Sequence, residues 1–141
     1  QQKTALLFAG QGAQVVGMGK DLALAHATAQ ALFERANTAL GYDLQHLCFN
    51  GPEPELTQTQ HAQPAIYLVG WIAFQLLRER LPTLEFQATA GLSLGEFTAL
   101  AAAQTFSFEE GLTLVRQRGL AMQEARSKST RLNSITEYDL V

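Results

Sequence analysis

Cysteine and charge are the two scarcities of this 141-residue chain. Cys48 is the only cysteine, and Asp, Glu, Lys and Arg together make up 16% of the residues. A lone thiol forms no intrachain disulfide and no four-cysteine zinc site. That excludes a small disulfide-built secreted scaffold and points to the reducing cytoplasm. Leu47 and Phe49 flank Cys48, so the thiol reads as a small buried hydrophobe rather than a nucleophile. Long apolar runs are missing too: none approaches the ~20 residues that span a bilayer. The apolar stretch at residues 5–9 is too short for the hydrophobic region of a signal peptide. A soluble intracellular protein without a membrane partner is expected. Since the chain starts at Gln1 rather than Met, its first codon is expected to lie outside it. Ten Lys and Arg face thirteen Asp and Glu, a net charge of −3. Without a basic stripe no nucleic-acid partner is expected, and the scattered acids make no acidic tail. What remains is 47% hydrophobic, in a length that suits one domain with a buried core.

The periodicities alternate between strand and helix. Residues 5–9 form a short apolar run that stops at Gly10, as a buried strand entering a turn does. The loop Gly10-Gln11-Gly12-Ala13-Gln14 follows, with Gly17 and Gly19 close behind. A dinucleotide fingerprint fails here because the position for its third glycine is Val15. Asp21 is placed to cap a helix to about Leu40, with Leu22, Ala25, Ala29, Leu32, Phe33, Ala36 and Leu40 on one face and Gly41 as its stop. Asn50-Gly51-Pro52-Glu53-Pro54 reads as a loop, and Thr57 as the opening of a short turn. Gln63-Pro64 reads as the first turn of a long helix to Arg80, apolar nearly all round and so buried on more than one side. Residues 86–90 form a second strand candidate ending at Gly91, and residues 96–103 an alanine-rich helix. Ser107-Phe108-Glu109-Glu110 fits a capping box, opening a helix to about Ala125 with the stripe Leu112, Val115, Gly119 and Met122. From Arg126 the composition turns polar and basic. Residues 1–125 are therefore read as the core and residues 126–141 as a tail without regular structure.

Chemistry concentrates at Gly91-Leu92-Ser93-Leu94-Gly95. Between a strand and a helix, Gly-x-Ser-x-Gly makes a sharp turn that lifts the serine hydroxyl to the carboxyl edge of a sheet. Ser93 is thus the candidate nucleophile, and the amide of Leu94 a candidate oxyanion donor at a helix N-terminus. The Gly10-Gln11-Gly12 loop also follows a strand, so in a parallel sheet it emerges at the same edge and offers a second donor. Ser93 needs a base. His26, His46 and His61 all precede it and read as structural or surface residues, and no histidine follows. Two strands make no stable sheet without partners. Missing base and missing strands together indicate that a carboxy-terminal part lies outside the chain. Arg116 and Arg118 flank the apolar stripe of the last helix at similar angles, and periodicity does not choose between them; either could hold a carboxylate bidentately.

Four landmarks, in order, resemble malonyl-CoA:acyl carrier protein transacylases: Leu7-Phe8-Ala9-Gly10-Gln11-Gly12-Ala13-Gln14 with Gly17-Met18, Gln63-Pro64-Ala65, Gly91-Leu92-Ser93-Leu94-Gly95-Glu96, and Arg118-Gly119 with Met122-Gln123. The resemblance covers residues 5–125, about the first half of the usual family chain. It implies an α/β fold with a parallel-sheet, hydrolase-like core, incomplete here because the later strands and an inserted ferredoxin-like subdomain belong to the second half. It implies Ser93 as the nucleophile that takes malonyl from malonyl-CoA and passes it to the phosphopantetheine thiol of acyl carrier protein. Backbone amides of Gln11 and Leu94 would form the oxyanion hole, and Arg118 would pair with the malonyl carboxylate. Malonyl-CoA is then a substrate, and no cofactor or metal is implied. Leu92 stands where many members have histidine. The family's catalytic histidine lies in the second half, so this chain by itself is expected to be inactive.

Other functions share some of these features. A serine hydrolase or thioesterase would use the same elbow, release free acid and have no need of Arg118. An acyltransferase domain of a polyketide synthase has overlapping motifs. A non-catalytic module that binds carrier protein would keep its affinity when Ser93 is replaced by Ala.

Overall fold

Both apolar runs that end in glycine become strands, and they pair with each other. In the computed structural model, which describes residues 3–138, β1 (Ala5–Phe8) lies parallel to β2 (Ala88–Gly91), with Ala5 opposite Ala88 and Phe8 opposite Gly91. Between them run α1 (Lys20–Ala25), α2 (Ala27–Leu40), α3 (Leu44–Asn50), α4 (Glu53–Leu56) and α5 (Thr59–Arg80). After β2 come α6 (Gly95–Ala102) and α7 (Phe108–Tyr138). The described residues thus form a helix-rich α/β unit with a two-stranded parallel sheet.

The two faces of the sheet differ. Leu6, Phe8, Thr89 and Gly91 are half-buried, whereas Ala5, Leu7, Ala88 and Ala90 are exposed, Leu7 to 80%. On the covered side Phe8 meets Phe74 of α5 edge-on with ring centroids 6.2 Å apart. The Thr89 hydroxyl donates to the Ala99 carbonyl of α6 at 3.0 Å. Four-residue strands are marginal alone, so these contacts with α5 and α6 fix the sheet.

The core is helical. Phe33 and Ala36 of α2, Leu68 and Ile72 of α5, and Leu112 and Val115 of α7 are all buried. Tyr67 of α5 stacks on Phe108 with centroids 5.8 Å apart. Its hydroxyl donates to the Phe108 carbonyl at 3.0 Å, and burial pushes the phenol pKa up. This approach needs Gly111, where a Cβ would collide with the Tyr67 hydroxyl. Both halves of the expected capping box are present: Ser107 N–H donates to Glu110 at 2.7 Å, and Glu110 N–H donates to the Ser107 hydroxyl at 3.2 Å.

Several expectations need correction. The single helix over residues 21–40 is two helices, broken at His26, whose backbone is extended (φ −136°, ψ 120°). His26 N–H still bonds the Leu22 carbonyl, and its own carbonyl receives Ala29 and Gln30. One residue therefore ends α1 and begins α2, and His26 does not lie mid-helix. Asp21 is not the cap but sits in the first turn; Gly19, left-handed at φ 74°, takes the capping position. α5 starts at Thr59, four residues before Gln63, so Pro64 falls in the second turn. There it forfeits the N–H bond that an α-helix would make to the Gln60 carbonyl, just beyond the first turn, where His61 and Ala62 already donate to Gln58. α3 has no counterpart among the expected elements; Asp43 caps it by accepting from His46 N–H, and Leu44, Leu47 and Cys48 are buried. α4 occupies part of the expected loop at residues 50–54. α7 does not stop near Ala125 but continues to Tyr138, so residues 126–138 are helical where no regular structure was expected. Glu124 pairs with Lys128 one turn on, N···O 2.7 Å, across the point where the helix was expected to end. The last three residues of the expected tail lie outside the described residues. No helix among the described residues is long and apolar enough to cross a membrane.

Candidate active site

The elbow is made by backbone crowding. Gly91 ends β2, and a Cβ there would strike the backbone of Gly95. A Cβ on Gly95 would strike the Phe8 carbonyl of β1 and lie 2.8 Å from the Ala9 oxygen. Only glycine at both positions lets helix α6 begin directly on the strand ends. The turn between them forces Ser93 to φ 54°, a left-handed conformation that costs a non-glycine residue about 1–3 kcal/mol. It is held by hydrogen bonds on both sides: Leu92 N–H to the Phe8 carbonyl at 3.3 Å and Glu96 N–H to the Ser93 carbonyl at 3.1 Å. Leu94 is fully buried and anchors the turn, while Ser93 stays exposed.

Leu94 caps α6. Among the described residues no acceptor takes its N–H, nor that of Gln11. Gly10 packs so closely on the elbow that a Cβ would meet the Leu92 carbonyl. The glycine loop and the serine turn are therefore neighbours at one end of the sheet. Gln11 is tied further to α5, its Nε2 donating to the Thr59 hydroxyl at 3.3 Å.

Of the two arginines, Arg118 reaches this end. Its Nη2 donates to the Ser93 hydroxyl at 3.0 Å, and its guanidinium lies 5.6 Å from the centroid of the Phe97 ring. Arg116 lies over Tyr42, 6.0 Å away, on another side of α7. Arg118 is brought close because Gly119 beside it packs on α5, where a Cβ would stand 2.9 Å from the Thr59 carbonyl. The three histidines are elsewhere. His46 meets Asn50, His61 meets the Glu55 carbonyl, and His26 joins α1 to α2. Arg118 is the only hydrogen-bond partner of the Ser93 hydroxyl among the described residues.

Two features were not anticipated. Phe97 forms a floor under the guanidinium. Gln63 is fully buried between α5 and α7, its Nε2 donating to the Met122 sulfur at 3.2 Å. Gln63 precedes the apolar run of α5, and the sign available for it was the Gln63-Pro64-Ala65 landmark. Cys48 is buried, and burial pushes its thiol up to about 12, far from the depressed values of reactive thiolates. Among the described residues no group of three or more His, Cys, Asp or Glu is arranged to hold a metal.

The chain and its fold are similar to those of known proteins. The acyl transferase domain family matches residues 5–136. A malonyl CoA-acyl carrier protein transacylase of Bacillus subtilis is 46% identical over 121 residues, 86% of this chain and 30% of that protein. The polyketide biosynthesis protein ThaF of Burkholderia thailandensis is 47% identical over 125 residues, 86% of this chain and 10% of that protein. The structure of the malonyl CoA-acyl carrier protein transacylase from Coxiella burnetii superposes with a TM-score of 0.83 at 42% identity, covering 88% of this chain and 39% of that one. The chain thus spans well under half the length of these relatives.

Proposed function

The chain belongs to the acyl transferase domain family, and from that premise we propose that it carries the serine part of a malonyl-CoA:acyl carrier protein transacylase. In this reading the Ser93 hydroxyl attacks the thioester carbonyl of malonyl-CoA. Charge on the carbonyl oxygen is taken by the free N–H groups of Gln11 and Leu94. The CoA thiolate leaves, and the thiol of the carrier protein's phosphopantetheine later attacks malonyl-Ser93 to regenerate the hydroxyl. Arg118 pairs with the malonyl carboxylate. The observation that carries the reading is the 3.0 Å hydrogen bond from Arg118 to Ser93. A fixed positive charge beside the nucleophile suits a short acyl group with a carboxylate at its far end. An acetyl group would leave that charge unpaired, which disfavours it.

The base that takes the Ser93 proton is a histidine outside this sequence, as are the later strands of a hydrolase-like sheet and an inserted ferredoxin-like subdomain. The exposed outer face of the sheet, with Leu7 at 80%, supports that reading. Residues 1–125 are read as the core and residues 126–141 as a tail beyond it; among the described side chains of α7, none after Gly119 is fully buried. The substrate is malonyl-CoA, the macromolecular partner is acyl carrier protein, no cofactor is needed, and the compartment is the cytoplasm.

Joining residues 1–125 to the remaining length of the Bacillus relative tests this. The joined protein is expected to transfer malonyl to carrier protein and to form a malonyl adduct at Ser93 visible by mass, both lost in Ser93→Ala. Release of free acid, unaffected by Arg118→Ala, would instead establish the hydrolase. A second reading, an acyltransferase acting in polyketide synthesis, is favoured by the likeness to ThaF; it predicts transfer to a polyketide carrier protein in preference to a fatty-acid one.

A further inference from the structure

Two buried polar atoms near this site lack partners among the described residues: Oε1 of Gln63 and Nη1 of Arg118. One is an acceptor and the other a charged donor, and each is costly to bury unpaired. Both belong to one helix interface. Tyr67 meets Phe108 and Gly111, whereas Thr59 meets Gly119, so α5 and α7 run in opposite senses. Gln63, between Thr59 and Tyr67, projects toward the N-terminus of α5 as helical side chains do. That direction leads to the Arg118–Met122 turn, and its amide nitrogen already reaches the Met122 sulfur.

Building on the proposed function, we propose that Gln63 is a positioning residue for Arg118 and sets its selectivity for a carboxylated acyl group. In this arrangement Oε1 accepts from Nη1, while Nε2 keeps the sulfur. The guanidinium is then held from behind, over Phe97, with Nη2 left for the substrate end. The chemical identity of the holder matters. An amide oxygen accepts from the guanidinium without neutralising it, so the full positive charge stays available to a second carboxylate. A glutamate at this position would satisfy the same donor but form the ion pair internally, competing with the ligand.

Arginine side-chain NMR on the full chain tests this without requiring turnover, with malonate as the probe. In the parent protein, the Arg118 guanidinium is expected to rotate slowly and to bind malonate. Gln63→Met keeps the length and the apolar contacts, so the fold is retained. It should free the guanidinium and weaken malonate binding about tenfold, the factor that a lost hydrogen bond to a charged group implies. Gln63→Glu should keep the guanidinium slow yet abolish malonate binding. The proposal is overturned if Arg118 in Gln63→Met rotates as in the parent, or if Gln63→Glu binds malonate as the parent does. If the parent and Arg118→Ala bind malonate equally, the carboxylate-binding role falls. The rotation in Gln63→Met then still reports separately whether Gln63 holds the arginine.

Discussion

The α5–α7 interface and the two-stranded sheet lie side by side yet are held by opposite means. Between the helices, large side chains interdigitate: Tyr67 on Phe108, with Leu68, Leu112 and Val115 all fully buried. At the end of the sheet, where the elbow sits, the decisive contacts are between backbones, at Gly10, Gly91 and Gly95, where side chains have been removed to let the chain pass. Side-chain packing contributes stability roughly in proportion to the area buried. Backbone-on-backbone contact buries little area but fixes position closely. The molecule therefore keeps its stability in the helices and its candidate site at the glycine turns, and the two should be separable by mutation.

Leu68→Ala cuts the helical side and should have the largest effect. Loss of a fully buried leucine costs about 2–5 kcal/mol, read as a fall in the urea midpoint with no change confined to the elbow. Gly95→Ala cuts the other side. The new methyl must displace the β1 carbonyls, at a cost of about 1–3 kcal/mol. Its signature should be loss of the Arg118–Ser93 contact, seen by NMR, while far-UV helicity persists; equal damage to both regions would break the distinction. Ser107→Ala removes one leg of the capping box and should cost about 1 kcal/mol, fraying the start of α7 but not the sheet.

The fourth test is acidification, and its sign follows from the same cap. The hydrogen bonds from Ser107 hold the Glu110 carboxyl below its ordinary value. A depressed carboxylate contributes stability that is fully present above its unfolded pKa and is lost as pH falls through the folded one. Glu110 is fully exposed, so the effect is the smallest of the four. Amide protection in the first turn of α7, taken relative to the intrinsic exchange rate at each pH, should fall as pH drops through the carboxylate range, and Glu110→Gln should remove that dependence.

The same division explains what could be read from the residues alone. Contiguous signals were legible: the apolar runs that end in Gly10 and Gly91, the serine between two glycines, and the Ser107–Glu110 box. Each is decided within five or six residues. What was not legible depends on distant partners. The break at His26 leaves no turn residue in the sequence; Ala23 before it and Ala29 after it are both buried. α3 is too short for its stripe of Leu44, Leu47 and Cys48 to stand out, although Asp43 was an available cap. Arg116 and Arg118 are equivalent along α7. Only the position of α5 against Gly119 separates them.

Burial of Cys48 has a use beyond excluding it from chemistry. Because it is the chain's single thiol and its pKa is pushed up to about 12, an alkylating reagent at neutral pH gains access only when the segment around α3 opens. The rate of thiol capture then reports the free energy of that opening directly. With one cysteine, every labelled molecule reports the same event. The chain thus contains a built-in clock for its own local unfolding.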